Sequence, residues 1–509
     1  MMKHSNSKRF RTLGTALVAL AGLSSAAFAD PIFDGFIPGN LVVSRSVYMG
    51  TASTVTVGQS LPPNCPSTAT CSKPATNDGT YPNVFLNATP DGSFGVTSPI
   101  FLDQITTEGT RINTLPVPSN MVVTSFSSKS EIALNLSPEG DVMTFMGYVI
   151  PGAASQINLL DISNSNTPGV IDPTNPVGGS AYRAVVQVYP SGAVQVTDTN
   201  AYSGNNGRAA ILVNGYFYMV GNSNNGGGTP ANVISATGAE IAVPGQDPST
   251  PPQEIGNFSI AQINDPSTGN PYVADKLGKD NNFRGLTYFE GNIFITKGSG
   301  SNGINTVYEV GNPHTLPTLA DAAIAPITVL PGFPTTLAKA AGAANPFGLW
   351  FANATTLYVA DEGDGTTADA ATSQVAGLEK WVFVNGTWQL AYVLQNGLNL
   401  GQQYSVAPSA TGQAYPASLN PATDGLRNIT GRNNGDGTVT IWGVTSTISA
   451  SGDQGADPNK LVSVTDVLDN GDPALASYEP FTTILSAGYG EVLRGVSFTP
   501  GTVSAHRGR

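Results

Sequence analysis

Apolar residues in this chain fall in short β-type runs that come in pairs across a tight turn, without the spacing of an amphipathic helix. Set in register on the turn, four segments read alike: NNGRAAILVNGYFYMVGNSN (205–224), NNFRGLTYFEGNIFITKGSG (281–300), NPFGLWFANATTLYVADEGD (345–364) and GLRNITGRNNGDGTVTIWGVTST (425–447). SEIALNLSPEGDVMTFMGYVI (130–150) fits the same frame more loosely. Each segment joins two runs rich in β-branched and aromatic residues through Gly, Asn or Asp, which is the signature of a hairpin. Further runs follow at 305–311 and 325–332, at 378–386 and 388–395, and at 460–468 and 481–488. Recurrent units of this kind, with about four strands each, predict a β-propeller.

The two ends complete the pattern. EVLRGVSFTPG (491–501) is a first half-hairpin with no partner after it, and GNLVVSRSVYMG (39–50) is a second half with none before it. Joined, they reproduce the 281–300 unit. One blade should therefore take its inner strand from the C-terminal end and its outer strands from the N-terminal end, which removes the sheet edges that invite aggregation. The expected fold is all-β, a six-bladed β-propeller with seven blades possible. It spans 30–501 as a single domain, with a tail at 502–509. A β-sandwich also uses short strands but leaves the matching ends unexplained, and a β-helix has a shorter, more regular period.

The same register aligns charge. Four inner strands open on Arg208, Arg284, Arg427 and Arg494, with Arg427 displaced one place by its longer turn; Phe347 and approximately Ala133 take the position elsewhere. Second strands end beside them on Arg45, Gly221, Lys297 and Asp361, with Glu362 next. Arg208, Arg284, Arg427, Arg494, Lys297 and Arg45 are thus candidate ligand contacts at one mouth of the channel, because guanidinium groups bind carboxylate and phosphate through paired hydrogen bonds. An arginine repeated at one structural position also serves as scaffold, bridging blades through their carbonyls, so both roles stay open.

The loop ADEGDGTTAD (360–369) groups Asp361, Glu362 and Asp364 as candidate calcium ligands, although such turns are also how a β protein reverses direction. Trp350, Trp381, Trp388 and Trp442 read first as packing between blades and second as stacking surfaces for a sugar.

Residues 1–29 place Lys3, Lys8, Arg9 and Arg11 ahead of an apolar run and Ala27-Phe28-Ala29 behind it, the form of a secretory signal peptide. The apolar run is shorter than the ~20 residues of a bilayer span. Without those four bases the chain carries 18 Lys and Arg against 35 Asp and Glu, a formal charge of −17. Such a chain repels bulk nucleic acid and anionic membrane surfaces. Export to the periplasm or beyond also suits Cys65 and Cys71, the two cysteines, as a disulfide closing a small loop. Past the leader only His314 and His506 remain, which makes a Ser-His-Asp triad or a multi-histidine metal site hard to build.

LYVADEGDG (357–365), preceded by NPFGLWF (345–351), resembles the blade pattern of NHL-repeat and gluconolactonase/strictosidine-synthase-like six-bladed propellers. The resemblance covers the blade hairpins and implies a site in the loops at one channel mouth. Lactonase-type members hold a metal there with Glu, Asn and Asp; no complete set matches here, so that activity is not carried over. The leading reading is a secreted propeller that binds an anionic small molecule or glycan at a basic mouth. A metal- or quinone-dependent enzyme (lactonase-like hydrolase or sugar dehydrogenase) is the alternative, although the latter depends on a histidine base that no position supplies. A matrix or filament subunit is a third reading.

Overall fold

A computed structural model of the chain describes residues 33–48, 95–127, 131–150, 181–222, 238–246, 282–298, 303–366, 368–448 and 454–503, with short pieces between them. The segment 1–29 expected to be a leader, Cys65 and Cys71 expected to be a disulfide, and His506 lie outside the described residues.

Six four-stranded antiparallel sheets make the body. Their innermost strands are Glu491–Phe498, Asn135–Leu136, Gly207–Val213, Phe283–Phe289, Pro346–Asn353 and Ala422–Asn433, numbered here as blades 1 to 6. Consecutive inner strands touch all the way round, the last against the first, so the sheets form a closed six-bladed propeller. Blade 1 is the closing blade. Its order is Glu491–Phe498, Leu41–Val47, Ile100–Ile105, Arg111–Pro116, with Leu41 opposite Phe498 and Val47 opposite Glu491. The only α-helix among the described residues is the single turn Pro473–Ala476, and no described helix is long and apolar enough to cross a membrane.

Local chemistry explains the hairpins. At Asn214-Gly215 and Glu290-Gly291 both central residues have positive φ (51° and 82°, 43° and 93°), the twist that joins two strands without splaying them. Every sheet packs against a sheet on each side, so both faces of its middle strands are buried. That accounts for near-continuous apolar runs such as Tyr216–Gly221 and Asn292–Lys297. Phe289, Phe294 and Phe351 join blades 4 and 5, for example, with the Phe289 and Phe351 rings stacked at 4.5 Å. Trp442 closes blade 6 against blade 1, its Nε1 donating to the Thr107 carbonyl at 3.1 Å and its ring meeting Phe498 edge-on.

The residue after the aligned Arg or Phe of the inner strand is glycine in three blades and shows how tightly the ring is drawn. A Cβ on Gly285 would lie 2.1 Å from the Phe347 carbonyl oxygen, on Gly348 2.4 Å from the Arg427 carbonyl oxygen, and on Gly495 2.6 Å from the Leu134 nitrogen. Backbone meets backbone at this level, so the Arg-Gly pairs at 284–285 and 494–495 are a packing requirement. In blade 6 the place is held by Asn428, whose Oδ1 accepts from the Val496 amide at 2.7 Å. Gly285→Ala is expected to cost about 1–3 kcal/mol of stability, because the obstructing atom is backbone and cannot rotate away. Urea unfolding of the variant measures it.

Candidate functional site at the arginine mouth

Strand pairing places the predicted residues at one level. Phe283 lies opposite Lys297, Pro346 opposite Asp361 and Gly207 opposite Gly221, so inner strands begin where second strands end. Arg208, Arg284, Arg427 and Arg494 are all buried there. The mouth is nevertheless not a bare basic ring. Glu362 sits between two arginines, 3.0 Å from Arg427 Nε and 3.6 Å from Arg284 Nη2. Arg494 donates to the Gly455 carbonyl at 2.8 Å, and Arg208 to the Phe283 carbonyl at 2.9 Å and to Asn282. In blade 2 the level carries a buried acid that the sequence reading missed. Glu131 accepts from Tyr148 and from Asn206 (2.8 Å), and its charge faces Arg494 and Arg183. Burial forces these choices, since an isolated buried charge is costly and a paired one is tolerated.

Arg45 and Lys297 belong to other contacts. Arg45 pairs inside blade 1 with Asp103 (2.7 Å) and with Glu491. Lys297 is fully buried and donates to Asn305 Oδ1 at 3.0 Å. The candidate calcium ligands are separated by task. Asp361 accepts the backbone amides of Asn345 (2.5 Å) and Gly363 (2.9 Å), Glu362 holds the arginines, and Asp364 caps the turn at Thr366. No group of three His, Cys, Asp or Glu side chains converges as a metal-ligand set among the described residues. Trp381, Trp388 and Trp442 are buried in blade packing, whereas Trp350 is half-buried. His314 is exposed on the opposite face, beside the Glu290 turn, with Nδ1 3.0 Å from the Glu290 carbonyl.

What the mouth does hold is a polar cup of about 230 Å³, lined chiefly by Arg284, Arg427, Glu362, Asp364, Asp424 and Gln454. Asp424 was not foreseen. It opens the inner strand of blade 6, three residues before Arg427, and its Oδ2 accepts the Gly365 amide at 2.8 Å. A side chain on Gly363 would collide with that carboxylate, its Cβ 2.4 Å from Asp424 Oδ2. Gln454 closes the cup by donating to the Gly365 carbonyl at 2.9 Å. The next loop residues are held from the closing-blade side, where Tyr81 donates to the Ala456 carbonyl at 2.8 Å within a cluster of Tyr48, Phe126, Tyr415 and Tyr489.

Burial raises the carboxyl pKa values around the cup. Desolvation pushes Asp424 up to about 7, assisted by Asp364 and Glu362 and opposed by the Gly365 amide. Desolvation also lifts Asp361 to about 6 and Glu379, behind it, to about 8. Folded values above unfolded ones mean that the unfolded chain loses these protons first. This stability is therefore greatest in acid and is lost as pH rises from about 4 through about 8. The melting temperature is expected to be higher near pH 5.5 than near pH 8.5, with a smaller drop in Asp424→Asn; calorimetry across that window checks it.

No protein-family model and no curated protein matches the chain. Among solved structures it is similar to a chain of the nidogen/laminin complex, at 9% identity and a TM-score of 0.33, covering 80% of this chain and 98% of that one. It is also similar to an oxidoreductase described as a glucose dehydrogenase, from Thermus thermophilus (15%, TM-score 0.27, 65% of this chain and 86% of that one). A third is the hemagglutinin-neuraminidase ectodomain of parainfluenza virus 5 (11%, TM-score 0.34, 72% and 75%).

Proposed function

We propose that the protein is an exported binding propeller that takes a glycan in the cup at its arginine mouth. The observation that carries this reading is the cup's mixed chemistry, with carboxylates of Glu362, Asp364 and Asp424 facing the same space as Arg284, Arg427 and the Gln454 amide. A sugar hydroxyl both donates and accepts, so it needs acceptors and donors side by side, and planar charged groups supply both. A bare anion is served less well, because Glu362 already pairs with both arginines that reach the cup and Asp364 and Asp424 line it as well. Export rests on the leader-like form of residues 1–29, and the acid surplus of the chain favours neutral or locally basic partners.

A glycan array probed with the tag-cleaved protein tests the reading. A defined subset of glycans should be retained by the wild type and lost by Asp424→Asn, whose fold is checked by melting temperature. Retention of nothing, or identical retention by both proteins, would remove the cup as a glycan site.

A further inference from the structure

The half of the channel beyond the arginine layer is a different space. It is a cavity of about 350 Å³ that shares no lining residue with the polar cup. Its inner end lies at Gly285 and Asn428, the residues that follow Arg284 and Arg427, and its rim lies at the hairpin turns on the opposite face. The walls are the lower halves of the inner strands, with buried Leu286, Leu349 and Ile429 beside half-buried Leu136, Tyr288 and Trp350. Glu290 and Arg432 are the only charged side chains among the described lining residues, and both are exposed at the rim.

Two features make this more than the hole left by a closed ring. Trp350 is held against the inner strand of blade 6 at Gly431, where a Cβ would fall 2.5 Å from the indole. A glycine therefore makes room for a large aromatic, which also stacks with Tyr358 at 5.9 Å and keeps the rest of its ring half open to the channel. Each inner strand, moreover, pairs on one side only, so its free edge turns backbone N–H and C=O groups toward the axis. The cavity thus combines apolar and aromatic walls with scattered neutral hydrogen-bonding groups and no charge in its depth. Its volume falls in the range of roughly 300–1,000 Å³ typical of small-molecule sites.

We propose that this half-channel is a second binding site, for a small neutral molecule built on an aromatic or alicyclic ring system with few polar groups. An anion finds no cation below the rim. A hydroxyl-rich sugar would leave hydroxyls unpaired against Leu286, Leu349 and Ile429, which is unfavourable. A ring system packed against the part of Trp350 left open to the channel removes apolar surface from water on both partners.

The test uses N-phenyl-1-naphthylamine, a neutral dye that brightens in apolar surroundings, titrated into the full chain. Saturable binding of one dye per chain is expected, with quenching of tryptophan fluorescence. Trp350→Ala should weaken it at least tenfold, and Thr287→Trp, which fills the cavity from a half-buried lining position, should do the same. Melting curves confirm that each variant is folded, and Trp350→Phe, which keeps an aromatic ring in the wall, should retain most of the affinity and serves where the alanine variant is not folded. Non-saturating uptake, several dyes per chain, or wild-type affinity in the folded variants would overturn the assignment. The cup plays no part in this site, so its failure as a glycan site leaves the dye result unaffected.

Discussion

Glu362→Ala is expected to destabilise the protein by about 3–5 kcal/mol, the usual cost of removing one partner of a buried ion pair. Glu362 stands between Arg284 and Arg427, whose charges otherwise oppose each other: burial and Arg427 both hold the Arg284 pKa below its ordinary value, and Glu362 works against them. Without the carboxylate the two guanidinium groups face each other at the level where the inner strands converge. The lost ion pairs bridge blades 4, 5 and 6, so the unfolding midpoint in urea should fall by the full amount. Glu362→Gln keeps the volume and one acceptor and should lose less. A change within about 1 kcal/mol for the alanine variant would place the pair among exposed bridges of little worth.

Lys380→Ala is expected to cost a similar ~3–5 kcal/mol for a related reason. Lys380 Nζ lies 2.8 Å from Asp466 Oδ2 with both side chains fully buried, and it also donates to Tyr392 Oη (2.9 Å) and to the carbonyls of Val467 (2.7 Å) and Asn470 (2.9 Å). Asp466 accepts from Tyr358 and Tyr392, so one carboxylate of blade 6 gathers three side chains of blade 5. Removing the ammonium strands that carboxylate between two packed sheets. The double replacement Lys380→Met with Asp466→Leu should be less damaging than the single change, since a buried pair often exchanges for apolar residues at little net cost. A double-mutant cycle by chemical denaturation reads both numbers, and additive losses would show that the two residues act separately.

How much of this is legible in the sequence depends on whether the feature is local. The hairpins are, because Asn214-Gly215 and Glu290-Gly291 are turn chemistry and their flanks are strand chemistry. The closing blade is legible because RGVSF and LVVSRS are halves of a pattern seen whole at 283–297. The arginine level is legible too, since Arg284-Gly285 and Arg494-Gly495 repeat for a backbone reason that holds in both blades. Partners are not. That Glu362 turns to Arg427, 65 positions along the chain, while neighbouring Asp361 turns to backbone amides, is decided by which face of the strand end each occupies. Spacing alone groups Asp361, Glu362 and Asp364 and does not show that each takes different partners. Glu131 stands just ahead of its inner strand and Asp424 at the start of its own, without any motif to mark them, and only ring closure brings Glu131 beside Arg494 and Asp424 into one cup with Arg284. Trp350 is the same case in reverse, an aromatic with the pattern of a packing residue that the channel leaves half open.

The most direct test of the glycan cup is isothermal titration of an array-retained glycan into wild type, Asp424→Asn and Arg427→Lys. Saturable one-to-one binding by the wild type, weakened at least tenfold in both variants while each stays folded, is the expected result. Equal affinity in all three proteins would contradict the assignment and leave the arginine mouth as scaffold.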